Sequence, residues 1–275
     1  MTGCLDNRVA IVIGAGTSEA GLGTGKATAL RFAQAGARLM LVDRDAEALE
    51  ATRAEAETYG AETDVAICDV RSSRGIGRMV ADCERRFGAI DILVNNIGQT
   101  SPAGLSAGTL ANWDACFAVN VRSVFVAARE VIPIMRRRGR GSIVNISSIA
   151  GRRTSALAPH AYAASKAALD MLTRTLAAEV AAEGIRCNAV VPGLIDTPMA
   201  LRGALDGGLP QTQARDWVAQ RARQSPTGRQ GTAWEVAEAA LFLASDAAGY
   251  VNGAELVVDG GLTNLTAGAP ERSSG

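Results

Sequence analysis

The 275-residue chain predicts an α/β protein, a doubly wound parallel sheet of about seven strands with helices on both faces. Three observations carry that expectation. Apolar runs of strand length alternate with helical segments almost throughout. A glycine-rich stretch from Gly14 to Gly25 falls between the first strand and the first helix. Five polar or glycine-containing motifs sit at carboxyl ends of strands, where sheets of this kind bind ligands.

Taken in order, residues 8–13 (R-V-A-I-V-I) read as a buried strand and 24–35 as a helix. A second strand at 38–42 leads to a charged helix at 45–59. The third strand is 63–67, with a helix near 72–87, and the fourth is 90–94. One long helix is expected over 109–138, then a fifth strand at 142–146. Residues 161–183 hold no Gly or Pro and are rich in Ala, so they read as a second long helix. Strand six is 185–191, a helical pattern covers 232–244, and 255–258 is a last short strand. No break in composition divides residues 1–263, which are read as one domain. Within it the Gly- and Pro-containing segment at about 197–226 reads as a mobile lid over the substrate. Residues 264–275 are a polar tail.

Composition narrows the function. Hydrophobic residues make up 48% of the chain, enough for a substantial core. A formal net charge of zero gives no reason to expect nucleic acid or an anionic membrane as partner. No apolar run approaches the ~18 residues of a membrane span, and the N-terminus carries no apolar targeting segment. Five scattered cysteines without C-x-x-C pairs fit reduced thiols in the cytoplasm and no metal site. The single histidine, His160, makes a His-based metal centre or a Ser-His-Asp triad improbable, and reads as a helix-entry residue.

Glycines between a strand and a helix let backbone approach a pyrophosphate at the helix N-terminus. Gly14, Gly23 and Gly25 are the candidates here. Asp43 closes the second strand 20 residues beyond Gly23, where a carboxylate can accept ribose hydroxyls and repel a 2′-phosphate. That favours NAD over NADP, although the adjacent Arg44 could hold a 2′-phosphate. Asp69 and Val70 follow the third strand, where Asp69 could contact adenine or cap the next helix. Asn95, Asn96 and Gly98 follow the fourth strand, Ser147 and Ser148 the fifth, and Pro192 and Gly193 the sixth. Asn120 lies mid-helix, where asparagine is unfavourable and must be exposed or doing polar work. Tyr162 and Lys166 are four apart and share a helix face. A nearby ammonium favours the phenolate, so the pair is expected to move protons near neutrality.

With these motifs in place, the chain resembles the short-chain dehydrogenase/reductase family over residues 5–262. The resemblance rests on the glycine loop, Asp69, Asn95-Asn96-Ile97-Gly98, Asn120, Ser148, Tyr162, Lys166, Pro192-Gly193 and Val258-Asp259-Gly260-Gly261. It implies a Rossmann-type fold with strand order 3-2-1-4-5-6-7 and hydride exchange between NAD(H) and a secondary alcohol or ketone. It implies Ser148, Tyr162 and Lys166 as catalytic residues, with Asn120 bending its helix and holding a water that relays protons to Lys166. Ile195 and Thr197 would contact the nicotinamide end. The chain departs from the family pattern in four places. Its glycine loop is about five residues longer, Ile13 and Ile97 replace the usual Thr and Ala, and the Ser148-to-Tyr162 spacing is one residue longer. That spacing leaves Ser147 as the alternative to Ser148.

Two other functional readings stand beside this one. The first is an NADP-dependent ketoacyl reductase, in which Arg136, Arg137, Arg138 and Arg140 dock an acidic carrier protein or else form a solvated helix end. The second is a non-catalytic nucleotide-binding scaffold. Leu201, Leu205, Leu209 and Trp217 of the lid suggest a partly apolar substrate, and Arg152, Arg153 and Arg202 could take a carboxylate. The two long helices carry more apolar residues than one buried stripe needs, which with the resemblance points to a homotetramer.

Overall fold

The computed structural model describes residues 3–17, 21–154, 159–206 and 210–264. Seven strands form one sheet in the order β3-β2-β1-β4-β5-β6-β7, every pair parallel. They are β1 (Val9–Ile13), β2 (Arg38–Asp43), β3 (Thr63–Ile67), β4 (Ile92–Asn95), β5 (Gly141–Ile146), β6 (Ile185–Pro192) and β7 (Glu255–Val258). The helices are α1 (Thr24–Gln34), α2 (Ala46–Glu57), α3 (Ser73–Phe87), α4 (Leu110–Phe117), α5 (Ser123–Arg138), α6 (His160–Val180), α7 (Pro198–Asp206), α8 (Gln211–Gln220) and α9 (Ala233–Ala244).

A strand alternates its side chains between two faces, and β1 feeds a core on each. Val9, Ile11 and Ile13 pack with α3, α5 and α6, while Ala10 and Val12 pack with α1, α2 and α9. This is why the central strands read as continuous apolar runs: their faces are buried on both sides, whereas the edge strands β3 and β7 are only partly covered. Connections reverse direction between β1 and β4, so the loops after these two strands diverge and open a crevice at the carboxyl edge. Among the described residues no helix is long and apolar enough to cross a membrane.

One expectation changes here. The long helix expected over 109–138 is α4 and α5 joined by a π-helical turn, Ala118–Arg122. The segment read as a lid contains α7, α8 and a 3-10 turn, Arg221–Gln224, although its Leu209 lies outside the described residues. The arginines at the basic end of α5 are largely exposed and form ion pairs at the surface. Arg136 pairs with Glu183, Arg137 with Glu84, and Arg138 and Arg140 with the buried Asp91. Of the polar tail, 265–275 lie outside the described residues.

Candidate active site

Tyr162 and Lys166 lie on the first turns of α6, with Lys166 only 2% exposed and its Nζ 5.8 Å from the centroid of the Tyr162 ring. The ammonium donates to the carbonyl oxygens of Ile97 (3.2 Å), in the loop after β4, and Ile146 (2.8 Å), the last residue of β5. Burial pushes Lys166 down to about 8, while Asp170 and then Cys116 oppose that shift. The phenol moves opposite to the sequence expectation. Burial raises Tyr162 above its ordinary value, with the hydrogen-bonded Ser148 hydroxyl pulling it partly back. Desolvation outweighs the help expected from Lys166, whose ammonium is directed at two backbone carbonyls.

The two serines after β5 divide their work. Ser147 is buried and directs its hydroxyl to the Lys166 carbonyl at 3.4 Å. Ser148 is extended, caps the 3-10 turn Ile149–Gly151 by accepting from Ala150 N, and meets Tyr162. Asn120 is fully buried inside the π turn. Its Oδ1 accepts from Gln99 N (2.8 Å), and its Nδ2 donates to Gln99 O (3.0 Å) and Ser165 Oγ (2.8 Å). An asparagine disfavoured in a helix interior is thus spent on holding the β4 loop against α6.

At the other end of the crevice, Gly14 adopts φ +84°, open to glycine, where a Cβ would collide with the Asn96 carbonyl. A Cβ on Gly25 would collide with the Gly14 carbonyl and lie 2.5 Å from Asn96 Nδ2. Asn96 donates to Gly14 O (3.3 Å) and accepts from Thr24 Oγ1 (2.8 Å), so one amide ties the β1 turn to α1. Asn95 turns inward instead, donating to Asn145 across the sheet. Gly23 is the N-cap of α1, which has no side-chain cap and no acidic residue in its first turn. Those unmatched N–H groups fit an anionic diphosphate. Asp43 accepts from the backbone N of Gly16 (3.0 Å), Arg44 (2.7 Å) and Asp45 (3.3 Å), which fixes its carboxylate at the edge of the crevice.

Other candidates sit as follows. Asp69 does not cap α3. Ser72 does, and Arg71 binds Asp69 and holds its carboxyl at about 2. Val70 packs against the core beside it. Gly98 faces Lys166 Nζ and Met199, with 3.6 Å or more to spare for a Cβ. Gly193 is required by packing, since a Cβ would lie 2.6 Å from Asp259 Cβ, while Pro192 ends β6. Ile195 is buried and bridges to Gly231. Thr197, with Gly21, Asp196, Leu201, Val218 and Trp234, lines a cavity of about 380 Å³ between the glycine loop and α7–α9. His160 is exposed at the start of α6. Arg152 and Arg153 are not left for a substrate carboxylate: Arg152 pairs with Asp170 and Glu255, and Arg153 donates to Leu262 O. Sequence reasoning missed Gln99, Cys116 and Ser165. Cys116 is four residues before Asn120 and also reaches Gln99 O, a helical spacing that could have flagged it.

Known proteins resemble the chain over nearly its whole length. The family model described as enoyl-(acyl carrier protein) reductase matches residues 18–263. The chain is 42% identical to 2-(R)-hydroxypropyl-CoM dehydrogenase of Xanthobacter autotrophicus, over 94% of this chain and 100% of that protein. A Burkholderia xenovorans structure described as a short-chain dehydrogenase/reductase superposes with TM-score 0.90 at 40% identity, covering 96% and 100% of the two chains. A 7α-hydroxysteroid dehydrogenase complexed with NADH and 7-oxo glycochenodeoxycholic acid gives TM-score 0.82 at 33% identity, covering 94% of each. The chain belongs to the short-chain dehydrogenase/reductase family. It is an oxidoreductase that works with a nicotinamide dinucleotide.

Proposed function

We propose that this chain interconverts a secondary alcohol and its ketone, with NAD(H) as the dinucleotide. The observation that carries this reading is the meeting of Ser148, Tyr162 and Lys166 at one point of the crevice. The bound dinucleotide supplies the hydride acceptor or donor at its nicotinamide ring. Gly14, Gly23 and Gly25 would hold its diphosphate side and Asp43 its adenosine ribose. Asp69 and Val70 would flank the adenine, and Asn96, Gly98, Pro192, Gly193, Ile195 and Thr197 the nicotinamide side.

Tyr162 Oη would take the hydroxyl proton as phenolate in oxidation and return it as phenol in reduction, and the positive charge of an oxidised nicotinamide ring would favour the phenolate that burial alone disfavours. Ser148 Oγ donates to the substrate oxygen where charge develops. A lysine ammonium has three donors. Two are on Ile97 O and Ile146 O, which leaves one for the nicotinamide ribose. Both amide hydrogens of Asn120 are committed, so its part in a water relay falls to its carbonyl oxygens. Asp43 favours NAD by charge. A carboxylate offers about four acceptor sites and three N–H groups already use it, so it suits one ribose hydroxyl rather than two. Exposed Trp113, Phe125 and Met171 on α4, α5 and α6 support a homotetramer, and the reduced thiols a cytoplasmic enzyme.

The test is NADH formation by purified protein across a panel of secondary alcohols, repeated with Tyr162→Phe. We expect the variant to bind NAD as wild type does and to lose turnover. Retention of more than about a hundredth of wild-type kcat would overturn the role of the phenol.

A further inference from the structure

The turn that carries Ser148 is locked onto α6 by contacts outside the reacting groups. Gly151 presses on the helix so closely that a Cβ would lie 2.7 Å from Ala167 N and 2.9 Å from the carbonyl carbon of Lys166. The next residue, Arg152, reaches Asp170 on α6 (3.5 Å) and Glu255 on β7, and Arg174 pairs with the other Glu255 oxygen (3.0 Å). Asp170 is one turn beyond Lys166 and 3% exposed, and its Oδ1 has no hydrogen-bond partner.

We propose that Asp170 and Arg152 are positioning residues: together they clamp the Ser148 turn against α6 and set a buried negative charge one helical turn from Lys166. A structural ion pair alone has no need to leave a carboxylate oxygen buried and unmatched, which costs free energy. A charge placed to act on a buried ammonium does need that oxygen inside. Lys166 is faced by Tyr162 and Asp170 from its own helix and by Cys116 from α4. Asp170 is faced by Arg152, which it shares with Glu255. Of these, Asp170 does most to keep Lys166 protonated against desolvation. The role of the pair in turnover rests on the proposed dehydrogenase reading; its effect on Lys166 does not.

Lys26 and Lys166 are the chain's two lysines, so protein labelled with [ε-13C]lysine reports Lys166 directly, with Lys26 as control. We expect Asp170→Asn to lower the Lys166 titration midpoint by about one pH unit. Lys26, paired with Glu55, should not move. With a substrate in hand, kcat at neutral pH should fall about twofold or more while KM changes little. The high-pH limb of the activity profile should move down with the Lys166 midpoint. Asp170→Glu should restore both readouts. Arg152→Met should lower kcat, and Arg152→Lys should recover part of it. An unchanged Lys166 midpoint in Asp170→Asn overturns the counter-charge, whatever the enzyme turns over. Losses of kcat that only track a falling Tm in both Asp170 variants overturn the positioning role.

Discussion

Single residues at this site answer to two demands at once. Lys166 is buried and shifted down to about 8 by that burial, and its ammonium is held by two carbonyls, one in the loop after β4 and one at the end of β5. Asp43 is structural, receiving the Gly16 N–H from the glycine loop, and on the proposed reading it would also be selective, its charge repelling a 2′-phosphate. Exposed Arg44 is the competitor, and its field reaches Asp69 across the crevice edge. We therefore expect wild type to show a higher kcat/KM with NAD than with NADP. Asp43→Ser should shift that ratio towards NADP by about tenfold or more, equivalent to about 1.4 kcal/mol. Steady-state kinetics with both dinucleotides decides it, and a wild type that already prefers NADP would hand the site to Arg44. The spacing of Tyr162 and Lys166 fits packing and solvation as well as chemistry, and only the motifs at the strand ends marked the pair as a candidate site. The direction of the phenol's shift was not legible, because sequence carries no measure of desolvation.

At the scale of elements, strands and most helices were readable because their apolar periods are long and unbroken, and β7 falls where its four residues predicted. The long helix over 109–138 was misread for a tertiary reason. The π turn at Ala118–Arg122 is paid for by tertiary hydrogen bonds from Asn120 to Gln99 and Ser165, which no local pattern contains. The lid helices α7 and α8 were hidden by the glycines and proline between them. The glycine loop shows the reverse case, where a motif states its own geometry. Gly25 sits where α1 touches the β1 turn, so Gly25→Ala forces a methyl against the Gly14 carbonyl and Asn96. Overpacking of that kind costs about 1–3 kcal/mol and would push the turn away from α1. Thermal melting and NAD titration should show a lower Tm and affinity weakened by about tenfold. Gly98→Ala is the contrast, since its Cβ would meet only ordinary contacts, and its Tm should stay near wild type. Equal Tm losses in the two variants would remove the special status of the β1–α1 contact.

Across the whole molecule, the two covered faces follow from strands apolar on both sides, while the strand order was legible only through the family resemblance. Assembly is written less directly, in what the fold leaves uncovered. On α5, Val124, Ala128 and Ile132 are buried, and on α6, Leu169, Leu176, Ala177 and Val180 are. These make the single stripe each helix needs. Phe125 remains 48% exposed and Met171 53%, beside Trp113 on α4 at 43%. Phe117, Val121, Phe125 and Leu172 line one open, largely apolar groove between the helices. A second apolar stripe in water is the mark of an interface, and a two-fold axis through this groove would bury it against itself. The same helices carry Asn120, Tyr162 and Lys166, so covering them would also stiffen the site. We expect sedimentation equilibrium at micromolar concentration to give a mass near four times the 28.4 kDa chain. Phe125→Asp with Met171→Asp adds charge to exposed positions, so each chain should keep its circular dichroism while the assembly loses this contact. The sedimenting mass should then fall to that of a dimer or monomer, and kcat should fall with it. A wild type that sediments as a fully active monomer would show that the stripe has another purpose. A double variant that keeps the tetramer mass would place the interface on a different face.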